Sequence, residues 1–429
     1  MKFAAAGDAI IQRRIQSDFP GYDEIRPYLS DAEARFFNLE TTLNREGECC
    51  ASQFSGGTYI RAVPEVLDDL EKFGFNMTSF NNNHALDFSY DGFLATLEYV
   101  EESGMVHAGA GRNLAEASEP RYLETNAGRV ALIAVNTTFH PPMMAGTQSQ
   151  RVPGRPGING LNIDKHIEVT QDELDFIRDL ALRTNINASR EITIKEGYYP
   201  PVPDNEAALG ELRFRLGDES RFVMQINERD MKRVERAIYE AKLQADYILV
   251  SVHCHQISGT AKESPSEFLV KFAHDCIDLG ANAVIGHGPH LLRPVEIYKD
   301  SPIFYSLGDF VLQLYNVPLA PAEFYANHNV ELDAPMRDLL GKRSKNFTVG
   351  LMEDKRMFMT VIPKWEMKDG KLTSLEFMPI MGCMKGNKSE IGLPRRGCEK
   401  EIFEYLRDMS EPYGTKLVLR DDGIIEAVL

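Results

Sequence analysis

Asp8, Glu40, Asn83, His84, His253, His255, His287 and His290 are the side chains of this sequence whose types could do chemistry together. Carboxylates, an amide oxygen and imidazoles are the donors that suit a divalent ion such as Zn, Mn or Fe, and strand ends far apart in sequence can converge on one ion. A lone histidine at the end of a strand more often satisfies a local hydrogen bond. Here, of the ten histidines, His253 and His255 share one short motif and His287 and His290 another. That clustering favours ligands over structural histidines.

Apolar periodicity predicts the elements that must position these groups. Lys2 to Ala6 predicts a buried strand leading into Gly7-Asp8, and Ala34 to Asn38 one leading into Leu39-Glu40. Met77 to Phe80 leads into Asn81-Asn82-Asn83-His84, and Val130 to Val135 into Asn136. Further strands are expected at Tyr247 to Val252, ending at His253, at Ala283 to Ile285, ending at Gly286-His287, and at Ile303 to Ser306. Helical spacing marks Pro64 to Phe73, Tyr90 to Ser103, Asp230 to Gln244 and Ser266 to Leu279; Gly74, Gly104 and Gly280 close the first, second and last of these. Strands alternating with helices predict an α/β fold with a largely parallel or mixed sheet covered on both faces. Each polar cluster then falls at the carboxyl end of a strand, where open α/β sheets bind ligands.

The rhythm breaks between about residues 140 and 227, where Pro-Gly turns (Val152-Pro-Gly-Arg-Pro-Gly157) and a charged helix from Gln171 to Arg183 predict an insertion over the site that shapes substrate entry. Two domains are expected, a core over residues 1–320 containing that insertion and a C-terminal α+β extension over 321–429 packed on the core. The extension opens loop-rich to about Phe347. It continues with a strand pair, Phe358 to Trp365 and Leu372 to Pro379, then a helix from Cys398 to Met409 and a strand from Lys416 to Arg420.

The ordered motifs Gly7-Asp8, Phe37-Asn-Leu-Glu40, Asn82-Asn83-His84 with Asp87, Gly109-Ala-Gly111, Val252-His253, Gly286-His-Gly-Pro-His290 and Tyr305-Ser-Leu-Gly-Asp-Phe310 resemble the CapA (poly-γ-glutamate capsule synthesis) family over residues 1 to about 312. Relatedness of that family to calcineurin-like metallophosphoesterases implies a β-sandwich flanked by helices with one or two divalent ions, Mn, Zn or Fe. The resemblance makes Asp8, Glu40, Asn83, His253, His287 and His290 metal ligands, with Glu40 as the bridging carboxylate. It puts His84 in the place of the histidine that protonates a leaving group. Candidate catalytic groups are therefore His84, with Asp8 and His255. Two departures stand out. Ile10 occupies the position where phosphoesterases carry a first-strand histidine, and their Gly-His-x-His pattern is stretched by one residue in Gly286-His-Gly-Pro-His290.

Composition narrows the function classes. Across 429 residues, 47 Lys and Arg against 64 Asp and Glu give a formal charge of −17, which repels phosphate backbones and anionic lipid, so neither nucleic acid nor a membrane is an expected partner. The start MKFAAAGDAIIQRR is too short in apolar residues for an export signal, and the six cysteines show no CxxC pattern, so a cytoplasmic protein with reduced thiols is expected. For Arg293, in Arg293-Pro-Val-Glu296, a structural role is the first reading and an anion-binding guanidinium the less favoured alternative. The sequence leaves a homodimer open.

The function expected first is metal-dependent hydrolysis of a phosphoester or of a glutamyl or peptide amide, the substrate being a small molecule, a peptide or polyglutamate. An acid/base epimerase using Asp8 and a histidine on the same scaffold is the alternative. A non-catalytic component of polyglutamate or capsule synthesis is the third class.

Overall fold

The residues Lys-Phe-Ala-Ala-Ala-Gly-Asp-Ala-Ile form one strand, β1 (Lys2–Ile10), buried on both faces from Phe3 onward. Side chains alternate across a strand, so Phe3 and Ala5 enter one apolar core while Ala4 and Ala6 enter another. That division repeats in the next strand, where Phe36 and Phe37 part in the same way. The computed structural model that shows this describes residues 1–315 and 317–429.

The described strands of the first sheet and its neighbour are, along the chain, β1, β2 (Ala34–Asn38), β3 (Met77–Ser79), β4 (Val106–Ala108), β5 (Arg121–Thr125), β6 (Gly128–Asn136), β7 (Tyr247–His253), β8 (Ala283–His287), β9 (Val295–Tyr298), β10 (Ser301–Phe304), β11 (Asp309–Leu312), β12 (Met359–Lys368), β13 (Lys371–Gly382), β14 (Pro394–Arg396), β15 (Lys416–Leu419) and β16 (Ile425–Val428). A ten-stranded mixed sheet runs β15-β16-β13-β12-β1-β2-β3-β4, with β11 added to β1 and β14 to β13. A six-stranded sheet runs β9-β10-β8-β7-β6-β5. Phe3, Phe36 and Met77 of the first sheet share a core with Leu132, Leu249, Ile285 and Phe304 of the second. On its other face the first sheet is covered by helices α1 (Gly21–Leu29), α2 (Val66–Phe73) and α3 (Ser89–Glu102), through Ile25, Leu29, Leu70, Phe93 and Leu97. The expected mixed α/β architecture is present, with its strands in two large sheets that share a core.

Register decides what meets at the sheet edge. The first half of β1 pairs antiparallel with β12, Phe3 opposite Trp365. Its second half pairs parallel with β11, Asp8 opposite Asp309, and on the other side with β2, Asp8 opposite Asn38. An irregularity between Asp8 and Ala9 interrupts the ladder with β11. Asp8 thus lies inside the strand rather than after it, because the apolar residues Ala9, Ile10 and Ile11 continue the buried run past the single acid. In the second sheet β6, β7 and β8 are parallel, and His253 stands opposite both Asn136 and His287. Ile303 to Ser306 is a strand two residues earlier than expected, at Ser301–Phe304.

The C-terminal strands complete the first sheet, and Met1–Leu161 and Met231–Leu429 form one compact unit. Residues Asn162–Asp230 form a second. This second unit is not only turns and a helix. It holds a four-stranded sheet, built from Ile163–Val169, Glu206–Leu209, Leu212–Leu216 and Arg221–Ile226, beside the helix Gln171–Thr184. Val169, Leu174, Ile177, Ala207 and Phe214 make its small core. The six cysteines are all free thiols. Among the described residues no helix is long and apolar enough to cross a membrane.

Candidate metal centre

At the carboxyl ends of β2, β7 and β8 and within the second half of β1 the chain buries a carboxylate–imidazole cluster. Asp8, Glu40, His253 and His287 are wholly inaccessible, and Asn83, His84 and His290 nearly so. Asp8 accepts a hydrogen bond on each oxygen, from the Asn38 amide at 2.7 Å and from the Gly288 backbone N–H at 2.7 Å. His287 Nδ1 stands 3.3 Å and His253 Nδ1 3.8 Å from Asp8 Oδ1. His253 links the rest: its Nδ1 is 2.9 Å from His287 Nδ1, and its Nε2 is 2.7 Å from Asn83 Oδ1 and 3.0 Å from His255 Nε2. Ser251 Oγ holds the far nitrogen of His287 at 2.7 Å.

Glu40 differs from its neighbours. Both of its carboxylate oxygens are buried without a hydrogen-bond partner among the described residues, and the nearest imidazole nitrogen, His253 Nε2, is 3.8 Å away. Burial, then the charges of Asp8 and Asp309, push its carboxyl well above the usual range. Burial works against ionised Asp8 as well, but His287, His290 and the Asn38 hydrogen bond together outweigh it and hold that carboxyl low. Burial and the crowding of imidazoles on one another keep His253 and His255 well below the ordinary histidine range. Buried neutral imidazoles present lone pairs, and an unpaired buried carboxylate is costly until a cation meets it.

These donors fit a metal. Three sets each place one donor atom per residue within 4.8 Å of the others: Asp8, His253 and His287; Glu40, His253 and His255; and Asp8, Glu40, His290 and Asp309. Every expected ligand therefore lies in the cluster, Asn83 through its contact with His253. His255, expected as a catalytic group, stands among the possible ligands. His287 and His290 fall in different sets. The turn between them explains how the stretched motif reaches both, since Gly288 at φ 117° and His290 at φ 62° turn the backbone through the left-handed region. His290 Nδ1 then lies 3.0 Å from Asp309 Oδ1. Burial, opposed by His290 and reinforced by Asp8, leaves the Asp309 carboxyl raised to about 6.

Asp309 is the site residue that sequence reasoning passed over, although it stands in the motif Tyr305-Ser-Leu-Gly-Asp-Phe310. Its position opposite Asp8 depends on β11 joining β1, a pairing that periodicity does not report. Arg293 takes the structural role. It is completely buried, and its guanidinium donates to the carbonyls of Lys262, Cys254 and His255 at 3.0 to 3.3 Å. Buried, with three of its N–H groups given to these carbonyls, it braces the loop carrying His255.

His84 stands at the cluster's open side. Its Nδ1 is 2.7 Å from Asp87 Oδ2, and Asp87 is itself held by the backbone N–H groups of Gly56 and Ile60. A cavity of about 260 Å³ is lined by Ile10, Gly56, Asn83, His84, His255 and His290 among others. Gly56 presses its backbone against this wall so closely that a Cβ would sit 2.4 Å from Asn83 Nδ2 and 2.8 Å from His84 Nε2.

Two stacked sheets that gather buried carboxylates and imidazoles on one side define a class of α/β proteins with a cluster able to hold a metal. Within that class the chain belongs to the family described as bacterial capsule synthesis protein PGA_cap, whose model matches residues 2–314. It is 32% identical over 431 residues to protein y4sH of Sinorhizobium fredii (strain NBRC 101917 / NGR234), covering 97% of this chain and 91% of that one. It is 21% identical to the capsule biosynthesis protein CapA of Bacillus anthracis over 311 residues, 71% of this chain and 58% of that one. Over 277 residues it is 26% identical to the "Probable polyglutamine synthesis accessory protein" of Mycobacterium tuberculosis (strain CDC 1551 / Oshkosh), 64% of this chain and 54% of that one.

Proposed function

We propose that the chain is a metal-dependent hydrolase built on a metallophosphoesterase-like β-sandwich, acting on a phosphoester or on a glutamyl or peptide amide. The observation that supports this most is Glu40, a wholly buried carboxylate with both oxygens unpartnered and imidazoles and a second carboxylate around it. Asp8, Glu40, Asn83, His253, His255, His287, His290 and Asp309 would hold one or two divalent ions, Mn, Zn or Fe. A divalent ion supplies Lewis acidity and lowers the pKa of water. The protein's own groups do the rest. Asp87 fixes the His84 ring by its Nδ1, and His84, one of the residues lining the cavity, would give a proton from its other ring nitrogen to the departing oxygen or nitrogen. Asn38 and the Gly288 N–H keep Asp8 turned into the cluster, and Arg293 keeps the backbone of His255 in place. The names of the relatives, which concern capsule and polyglutamine synthesis, are the reason to include a glutamyl amide among the substrates.

Asp8 favours hydrolysis over epimerisation. A proton-exchanging base must reach the substrate and be basic enough to take its proton, whereas Asp8 is wholly buried behind the residues that line the cavity and its carboxyl is held low by His287, His290 and Asn38 once burial is overcome. The test is turnover of p-nitrophenyl phosphate, bis-p-nitrophenyl phosphate and γ-glutamyl-p-nitroanilide before and after chelation, with metal added back. Chelator-sensitive hydrolysis of one of them, abolished in Glu40→Gln, is expected. Turnover that survives complete metal removal, or none in the metal-loaded chain while an amino-acid derivative is epimerised, would sink the proposal.

A further inference from the structure

The site cavity has a cation on its rim that the cluster does not use. Arg343, the last residue of helix α4 (Met336–Arg343), lines the cavity of about 260 Å³ together with His84, His255 and His290. Its guanidinium lies 5.8 Å from the centre of the Phe324 ring, and among the described residues it has no carboxylate partner. A second, larger cavity of about 670 Å³ shares Val317 and Leu340 with the first and is lined by Arg337, Lys388 and Glu353. Arg337 lies on the same helix as Arg343, and neither it nor Lys388 is ion-paired among the described residues. Three unpaired cations around adjoining cavities stand against a formal charge of −17 for the whole chain. Such a surface repels anions, so a local excess of unpaired cations beside a reactive cluster is placed to overcome that repulsion.

Resting on the hydrolase reading for the chemistry beside it, we propose that Arg343 binds an anionic group of the substrate, a carboxylate or a phosphate, next to the reacting bond, and that Arg337 and Lys388 bind a further anionic group of a longer substrate in the adjoining cavity. A guanidinium presents two parallel N–H donors that match either oxyanion. The residues involved lie beyond the part of the chain that the family model matches, residues 2–314, so specificity is set by the C-terminal segment while the reactive cluster comes mainly from the family core. The outer cations read length, and Arg343 reads the presence of charge.

Calorimetric binding to the purified full chain tests this without requiring turnover. The probes are inorganic phosphate, γ-glutamyl-glutamate, its fully amidated counterpart and a γ-linked glutamate tetramer, titrated into the wild type, Arg343→Ala, Arg343→Lys and the double variant Arg337→Ala/Lys388→Ala. Loss of a charge-assisted pair should weaken phosphate and γ-glutamyl-glutamate by about 10- to 100-fold in Arg343→Ala. Arg343→Lys should recover part of the loss, and metal content and melting temperature should match the wild type. The double variant should weaken the tetramer and spare phosphate. Equal binding by Arg343→Ala and the wild type, equal binding of the amidated dipeptide, or no binding of either anion by the wild type would overturn the assignment. Anion binding lost in Arg343→Ala by a chain that hydrolyses nothing would instead leave the anion site standing and remove the hydrolase.

Discussion

Glu40 contributes differently to the chain with and without an ion. Unpartnered and buried, it is stable only when protonated or when a cation lies against it. Glu40→Gln keeps the shape, removes the charge and adds an N–H₂ donor facing Asp8 and His253. The expected outcome is a metal-stripped protein that melts no lower than the stripped wild type, with metal affinity lowered by at least about tenfold, the loss typical of a damaged metal site. Asn83 and His84 are neighbours with separable roles. Asn83→Ala should lower metal content and activity together, whereas His84→Ala should keep the metal and slow turnover by on the order of 10²–10⁴. Elemental content and rate measured on both variants check this, and equal metal loss would cancel the distinct role of His84. Away from the site, burial and then the charge of Arg121 push His107 down to about 4. The unfolded chain binds that proton near pH 6.5 and the folded chain does not, so the stability it contributes is present above pH 6.5 and is lost as pH falls toward 4. Between pH 7.5 and pH 5 that loss is about 2 kcal/mol by proton linkage. Urea unfolding of the wild type and His107→Asn at the two pH values should differ by this amount, and equal losses would contradict it. The histidine pairs were readable from sequence because they repeat a residue type of low abundance at short spacing. Asp309 was not, since one acid among 64 Asp and Glu carries no such signal.

At the scale of elements, the site depends on a strand that tolerates an acid in its interior and on a turn that doubles back. The pairing of β1 with β11 shifts register just after Asp8, and the Gly288 N–H reaches across from the end of β8 to hold the carboxylate. Gly288 has φ 117°, and a Cβ there would lie 3.1 to 3.2 Å from Cys254 N, His255 Cδ2 and His253 Cε1. Gly288→Ala should cost about 1–3 kcal/mol of stability through backbone strain and displace the imidazoles, lowering metal content as well. Thermal unfolding with elemental analysis of that variant checks it, and wild-type metal content would show that the turn does not set the ligand positions. The strands of the two stacked sheets were legible where both faces are buried, as in β2, β6 and β7, because continuous apolar runs mark them. The strands of residues 162–230 were not, because Arg213, Arg215, Arg221 and Phe222 leave them exposed on one side or both and break the alternation. The parallel addition of β11 to β1 is a long-range pairing, and no local pattern records it.

For the whole molecule, the described cluster and both cavities beside it lie within Met1–Leu161 and Met231–Leu429, while Asn162–Asp230 has a core of its own. Replacing Asn162–Asp230 by a short Gly-Ser bridge should therefore leave metal content unchanged. If that unit governs substrate entry, as its place in the sequence suggests, turnover of a large substrate should fall while that of a small activated ester is kept. Unchanged rates on both would assign it a role away from the reaction. The acidic character of the chain was plain from composition, but the few unpaired cations near the site were not, because pairing is decided by folding. The proposed hydrolysis depends on the buried donors holding a metal. The most direct measurement is elemental analysis of the chain purified without added metal and after dialysis against Mn, Zn or Fe, alongside Glu40→Gln and Asp8→Asn. The account predicts one or two tightly held divalent ions per chain in the wild type and a marked loss in both variants. A wild type that retains no divalent ion under any of these loadings would contradict it.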